Sequence, residues 1–220
     1  MNLSWISGWQ KWNLKEAYAH LANAIEIRPS DEIYLTMANF LTIEGKFDAA
    51  FNFAQKALEL DPFAAMNPHY KGFLYYLKED FDTAKPYFEK ALKLKPNLPF
   101  PFIYIGTSMI LQGLANKGLK YFEGLQIDRK GDLTQLGGTT LAHAALGNTK
   151  QLSDGLSELQ SALRTDAMGS ALHFLVLVNA FLGKIDEAMV WVEMGFENRL
   201  PMMLLLNPEP IAKNLRSVLR

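Results

Sequence analysis

The sequence contains no cysteine, no long apolar run and no excess of either charge. Without cysteine, the chain has no disulfide, no thiolate zinc site and no cysteine nucleophile. Its longest mainly apolar run, residues 173–182, has about half of the ~20 residues that a membrane-spanning helix needs. The 22 Lys and Arg residues are balanced by 23 Asp and Glu residues. This balance argues against a surface that binds the nucleic-acid backbone. We therefore expect neither membrane insertion nor direct nucleic-acid binding.

The N-terminal residues also lack the pattern of a secretory signal, which is a basic segment, an apolar core and a small-residue cleavage site. This favours a cytoplasmic location. With 220 residues, of which 49% are hydrophobic, the chain is long and apolar enough to form a folded core.

An internal repeat becomes visible when the chain is compared with itself. Three similar segments end near Pro29, Pro62 and Pro96, so the prolines lie 33 and 34 residues apart. A period of this length is typical of stacked supersecondary units, none of which can bury its apolar face alone.

One repeat, from Asp31 to Pro62, predicts a pair of helices. Apolar residues from Ile33 to Leu41 recur at steps of three and four, which places them on one helix face. Gly45 suits the left-handed end of that helix, and a second helix begins near Phe47. Pro62 ends the second helix, because proline lacks the N–H that an interior helical position needs.

This pattern resembles the tetratricopeptide repeat. The matching residues are Ala38, Gly45, Ala50, Ala54, Ala57 and Pro62 in one repeat, and Gly72, Tyr75, Ala84, Phe88, Ala91 and Pro96 in the next. The resemblance implies an all-α fold: a right-handed solenoid of antiparallel helix pairs, with five to six repeats and a C-terminal capping helix. It implies one domain over residues 1–220, with units at 1–30 (partial), 31–64, 65–98, 99–132, 133–168 and 169–202 and a cap at 203–220.

The second half of the chain is also similar to the C-terminal repeat arrays of bacterial transcriptional and signalling regulators. The residues that carry this likeness are Leu182, Gly183, Asp186, Glu187, Ala188, Trp191, Glu193, Gly195, Leu215, Arg216 and Ser217. No output domain accompanies them. The chain is then either a stand-alone relative or a fragment of a longer regulator, and the incomplete first repeat favours the fragment.

The search for catalytic or cofactor-binding motifs predicts no catalytic, metal-binding or cofactor-binding residues. The four histidines are not spaced as zinc ligands, and the glycines around Gly113 lack the lysine and serine of a phosphate-binding loop. The acidic residues Glu79, Asp80 and Asp82 are interpreted as a solvated turn. The Gly137–Gly138 pair predicts a frayed or kinked helix start. We therefore expect a protein that is not an enzyme.

The resemblance assigns a concave groove to the first helix of each repeat. The residues that it places there as partner-binding candidates are Leu35, Asn39, His69, Phe73, Tyr76, Phe100, Ile103, Thr107, His173 and Phe181. Their apolar and aromatic character favours an amphipathic helix or an extended apolar segment as ligand. It argues against the clamp by which related proteins hold a C-terminal carboxylate. For each single residue, however, packing between repeats is the more common role.

Two functions remain open at this point. The first is a non-enzymatic scaffold that binds a protein or peptide partner in the groove. The alternative is a regulatory or sensory segment of a bacterial regulator, which acts within its own polypeptide or on a small ligand.

At the N-terminus, Trp5, Trp9 and Trp12 form an aromatic stripe if that segment is helical, which indicates a cap or a site of self-association. At the other end, Ile211, Leu215, Val218 and Leu219 are expected to pack inward.

Overall fold

The computed structural model describes residue 8 and residues 13–125, 133–166 and 169–218. Within them the secondary structure is entirely helical, with eleven α-helices and two short 3-10 segments. In chain order the α-helices are α1 (Leu14–Ile27), α2 (Asp31–Ile43), α3 (Phe47–Leu60), α4 (Met66–Leu77), α5 (Phe81–Leu94), α6 (Pro99–Leu111), α7 (Ala115–Glu123), α8 (Thr134–Leu146), α9 (Thr149–Ala162), α10 (Ser170–Phe181) and α11 (Ile185–Glu197). The 3-10 segments are Pro201–Leu205 and Lys213–Leu215.

The prediction of an all-α fold built from helix pairs is confirmed. Turns of a few residues join α2 to α3, α4 to α5, α6 to α7, α8 to α9 and α10 to α11, and each pair packs together. Such short turns make the second helix fold back along the first. Polar caps help to set where helices begin: Ser30 Oγ accepts a hydrogen bond from the N–H of Ile33, and Asp80 Oδ1 accepts one from Thr83.

The turn within each pair contains a residue in the left-handed backbone conformation. Gly45, Gly113, Gly147 and Gly183 have φ between 70° and 77°. In the pair α4–α5 the same place is taken by Glu79, with φ of 59°. The cluster of Glu79, Asp80 and Asp82 therefore consists of a left-handed turn residue, a helix cap and a first-turn carboxylate.

The chain divides into two compact units, residues 1–96 and 97–220. In the first unit, consecutive helices from α1 to α5 pack on one another, and α2 also contacts α4. Alanines allow the helices to approach closely, and aromatic rings fill the space between them. The fully buried members include Ala38, Phe40, Ala50, Ala54, Ala57, Leu74, Ala84, Phe88 and Ala91.

In the second unit, the first helices of three pairs lie side by side, because α8 contacts both α6 and α10. Phe122, Leu141, Val176 and Val192 belong to the main core of this unit. The prediction of a frayed or kinked helix start at Gly137–Gly138 is wrong. Both glycines are buried within the regular helix α8, where they face the rings of Phe174 and Phe122.

The C-terminal segment packs on the last helix pair, but as 3-10 turns rather than as the expected capping helix. Ile211 and Leu215 are buried as expected, whereas Val218 is exposed. Arg216 donates hydrogen bonds to the carbonyls of Asn207 and Pro208, which holds the segment folded on itself.

The N-terminal tryptophans Trp5, Trp9 and Trp12, like Leu219, lie outside the described residues, so their roles stay predictions. The assignment of residues 1–220 to one domain also stays a prediction. No helix in the described part of the chain is long and apolar enough to span a membrane.

Candidate partner-binding face

The first helices of the repeats form a layer in each compact unit, with α2 beside α4 in one and α6, α8 and α10 in the other. The ten residues predicted to line a groove all lie on these helices. The structure buries Leu35, His69, Phe73, Tyr76, Thr107 and His173, and leaves Asn39, Phe100, Ile103 and Phe181 partly or largely exposed. The accessible members are therefore the ones that a partner can touch in this arrangement.

The buried aromatic residues of α4 pack within the repeat. The His69 ring lies 5.8 Å from the ring of Phe88, measured between centroids, and Phe73 stacks on Tyr76 at 6.4 Å. Tyr76, which is only 1% exposed, also meets Phe81 of α5 at 5.8 Å. Burial lowers the pKa of His69 to about 3, because it penalises the charged imidazolium. These side chains thus contribute to the core of the first unit.

Several polar side chains of α2 and α4 form hydrogen bonds within the first unit. The Tyr70 hydroxyl lies 2.8 Å from Thr42 Oγ1, and burial raises the pKa of the Tyr70 hydroxyl. Asn67 Nδ2 donates to Asp31 Oδ2 and to the carbonyls of Ala57 and Asp61, which ties the start of α4 to the end of α3.

Helix α10, the first helix of the last helix pair, is buried along almost its whole length. Leu177 and Ala180 share a core with Leu206, Ile211 and Leu215 of the C-terminal segment. In addition, Asn214 Nδ2 donates to the carbonyl of Ala180 at 2.6 Å. His173, also on α10, is buried, and its pKa is lowered to about 4 by that burial.

Among the ten candidates, the most exposed is Phe100 on α6. Phe100 is 38% exposed, and the half-buried Ile103 follows it at the three-residue spacing that places both on one side of the helix. Together they offer an apolar surface at the start of α6.

The described residues contain no cluster of three or more His, Asp or Glu that is placed to bind a metal.

Two stretches of the chain match family models of the tetratricopeptide repeat, one over residues 31–63 and one over residues 69–98. The first stretch contains the whole pair α2–α3, and the second contains most of α4 and all of α5. This chain is a tetratricopeptide repeat protein.

One sequence relative carries the same repeat in its name, and two solved structures share the fold. The chain is 30% identical over 112 residues to the human protein "Tetratricopeptide repeat protein 13". The match covers 50% of this chain but only 13% of the human protein. The fold is similar to the structure of pilF from Pseudomonas aeruginosa, with a TM-score of 0.61 and 16% identity over 97% of this chain and 93% of that one. A tetratricopeptide repeat protein from Parabacteroides merdae gives a TM-score of 0.57 and 16% identity, covering 94% of this chain and 82% of that one.

One departure from the repeat pattern escaped the sequence analysis. Lys71 lies 34 residues after Met37 and 34 before Ile105, so a lysine takes the place of an apolar residue. It is buried, and its ammonium lies 4.9 Å from the ring centroid of Phe51, while that of Lys78 lies 4.5 Å from the same ring. Burial lowers the pKa of Lys71. Comparing equivalent repeat positions would have revealed this residue.

Proposed function

We propose that this tetratricopeptide repeat protein is a scaffold that binds a protein or peptide partner on the first helices of its repeats, with the face of α6, α8 and α10 in the second unit as the main site. Tetratricopeptide repeats generally mediate protein–protein interaction, and their fold is typically a non-catalytic scaffold. The observation that carries the proposal for this chain is the exposure of Phe100 beside Ile103 on α6.

An apolar surface of this kind suits an apolar side chain of the partner. Burying an aromatic or large aliphatic side chain contributes about 1.5–3 kcal/mol, and aromatic residues often dominate the binding energy of an interface. The buried candidates of each unit hold its own first helices in place: those of the first unit pack around the helix pair that carries Asn39, and those of the second unit lie on the helices that carry Ile103 and Phe181. We infer that the ligand is an amphipathic helix or an extended apolar segment.

The test compares two exposed phenylalanines. Peptides selected from a random library on the native chain are titrated by fluorescence polarisation against Phe100→Glu and Phe63→Glu. Phe63 is also exposed, but it lies in the turn before α4 and not on the proposed face. We expect Phe100→Glu to weaken binding at least tenfold and Phe63→Glu to leave it unchanged, with both melting temperatures close to native. Equal binding by all three proteins would contradict the proposal.

The alternative is a regulatory or sensory segment of a cytoplasmic bacterial regulator of transcription or signalling. It is supported by the likeness of residues 182–217 to such arrays. Several of those residues have packing roles that account for the pattern: Gly183 forms a left-handed turn, Ala188 and Leu215 are buried, and Arg216 holds the C-terminal segment. We therefore favour the scaffold. A thermal shift with a small apolar ligand, in the absence of peptide binding, would favour the alternative.

A further inference from the structure

The outer face of α11 differs from those of the other second helices. Residues exposed on α3, α5 and α9 are mainly polar or charged, as at Lys56, Lys85 and Asp154; the exposed leucines of α3 and α5, Leu60 and Leu94, are the last residues of their helices. On α11, in contrast, Val190 is 55% exposed and Met194 is 37% exposed. These two residues are four positions apart, so they lie next to each other on one side of the helix.

Carboxylates flank this apolar pair. At 100° per residue, Asp186, Glu187, Glu193 and Glu197 fall on the same half of the helix as Val190 and Met194, and all four are exposed. The opposite half carries Ala188, Val192 and Gly195, which are buried in the core of the second unit. The helix is therefore apolar on two sides, and only one of them is covered.

The charge of this face is not neutralised within the described part of the chain. Helix α11 contains no lysine or arginine, and none of its four carboxylates forms an ion pair with a described residue. The nearest basic residues in the sequence, Lys184 and Arg199, lie just outside its two ends. The chain as a whole carries a net charge of only -1, so the acidity is local.

We propose that the outer face of α11 docks a basic amphipathic helix of a partner protein. Val190 and Met194 would receive apolar residues spaced three and four apart, and lysines or arginines on both sides of that stripe would face the four carboxylates. Complementary charge selects and orients such a partner, while the apolar contact supplies affinity. The inference rests on the proposed scaffold function, but it names the partner's chemistry and uses a different helix from α6.

The test uses three synthetic peptides of about 18 residues. One has a leucine stripe flanked by lysines, the second has the same stripe flanked by glutamates, and the third has the first peptide's composition in scrambled order. Each is titrated at low salt against the native chain, against Val190→Ser/Met194→Ser, and against Glu187→Gln/Glu193→Gln/Glu197→Gln. The matched control is Asp154→Asn/Glu158→Gln, which removes exposed carboxylates from the equivalent helix α9.

We expect the native chain to bind the lysine peptide with a Kd below about 100 μM and the other two at least tenfold more weakly. Both α11 variants should raise the Kd for the lysine peptide at least fivefold, and the glutamine variant should also reduce its salt dependence. The α9 control and Phe100→Glu should match the native chain. This last comparison separates the face of α11 from that of α6.

Three outcomes would overturn the proposal. The first is no binding of the lysine peptide, and the second is binding that the α11 variants leave unchanged, which would show general attraction to an acidic protein. The third is a dimer, seen by sedimentation, that Val190→Ser/Met194→Ser dissociates; the occupant would then be a second copy of the chain. Circular dichroism of each variant establishes that the fold is retained.

Discussion

At the scale of single residues, Glu79 occupies a place that the repeat otherwise gives to glycine. Its φ of 59° lies in the left-handed region, as do those of Gly45 and Gly113 at the equivalent turns. A residue with a Cβ pays roughly 1–2 kcal/mol for this conformation, part of which is offset because glycine is more disordered in the unfolded chain. We expect Glu79→Gly to raise the free energy of unfolding by about 0.5–1 kcal/mol in urea titrations.

The reverse change provides the control. A Cβ added at Gly113 would meet no atom within 4 Å, so Gly113→Ala changes only the backbone preference. It should lower the free energy of unfolding by about 1 kcal/mol. A loss of stability in Glu79→Gly would mean that contacts of the glutamate outweigh its backbone strain. The sequence predicts a turn at Glu79–Asp82 as well as at Gly45, but only the observed backbone angle shows that Glu79 takes the left-handed conformation that glycine has at the other turns.

At the scale of helices, one aromatic ring sets the spacing of α6, α7 and α8. Phe122 of α7 is fully buried between Gly106 of α6 and Gly138 of α8. A Cβ at either glycine would lie 2.2 Å from a carbon of that ring, much closer than two carbons can approach. The absence of a side chain at both positions therefore allows three helices to share the ring.

We expect Gly138→Ala to destabilise the protein by about 1–3 kcal/mol, because the ring or the helix must move. The sign of this stability change separates packing from helix propensity, because Gly→Ala at an open helical position stabilises a protein by about 1 kcal/mol. In a Phe122→Leu background, the cost of Gly138→Ala should largely disappear. Urea unfolding of the four proteins in this double-mutant cycle gives the coupling, and additive effects would contradict the packing argument.

These helices also show where sequence-based prediction stops. Ala50, Ala54 and Ala57 match the repeat pattern in the sequence, and the structure buries all three. For Gly137–Gly138 the sequence predicts a frayed or kinked helix start, because the contacting rings of Phe122 and Phe174 belong to other repeats and are not evident from the local sequence. Glycine in a helix is unfavourable by local propensity alone, and only the tertiary contact shows why it is needed here.

At the scale of the whole molecule, the period of the sequence predicts helix pairs, but not which candidate side chains remain accessible. Repeat position alone placed Phe100 and Thr107 on the same face, yet Phe100 is exposed and Thr107 is 1% exposed. The burial of Leu177 depends on its core with Leu206 and Ile211, which lie in a segment that follows no repeat. Accessibility is thus a property of the assembled unit rather than of the repeat.

Each compact unit also contains one buried histidine, and together they make the stability of the protein depend on pH. Burial holds the pKa of His69 at about 3 and that of His173 at about 4, below the ordinary value of 6.5. Both rings are therefore neutral in the folded protein, and unfolding allows them to take up protons. Their stabilising contribution is complete above pH 6.5 and is lost as the pH falls from 6.5 toward these lower values.

Between pH 6.5 and 5.5, each histidine should lower the free energy of unfolding by up to about 1.4 kcal/mol per pH unit. Urea unfolding at pH 7.5, 6.5 and 5.5 measures this slope, in a range where most carboxylates stay ionised. His173→Gln should reduce the slope, because it removes one of the two buried rings. The His173 ring has no hydrogen-bond partner for its Nδ1 among the described residues, so protonation in place would go uncompensated. A native stability that stays constant across this range would show that both rings reach water or an acceptor before the chain unfolds.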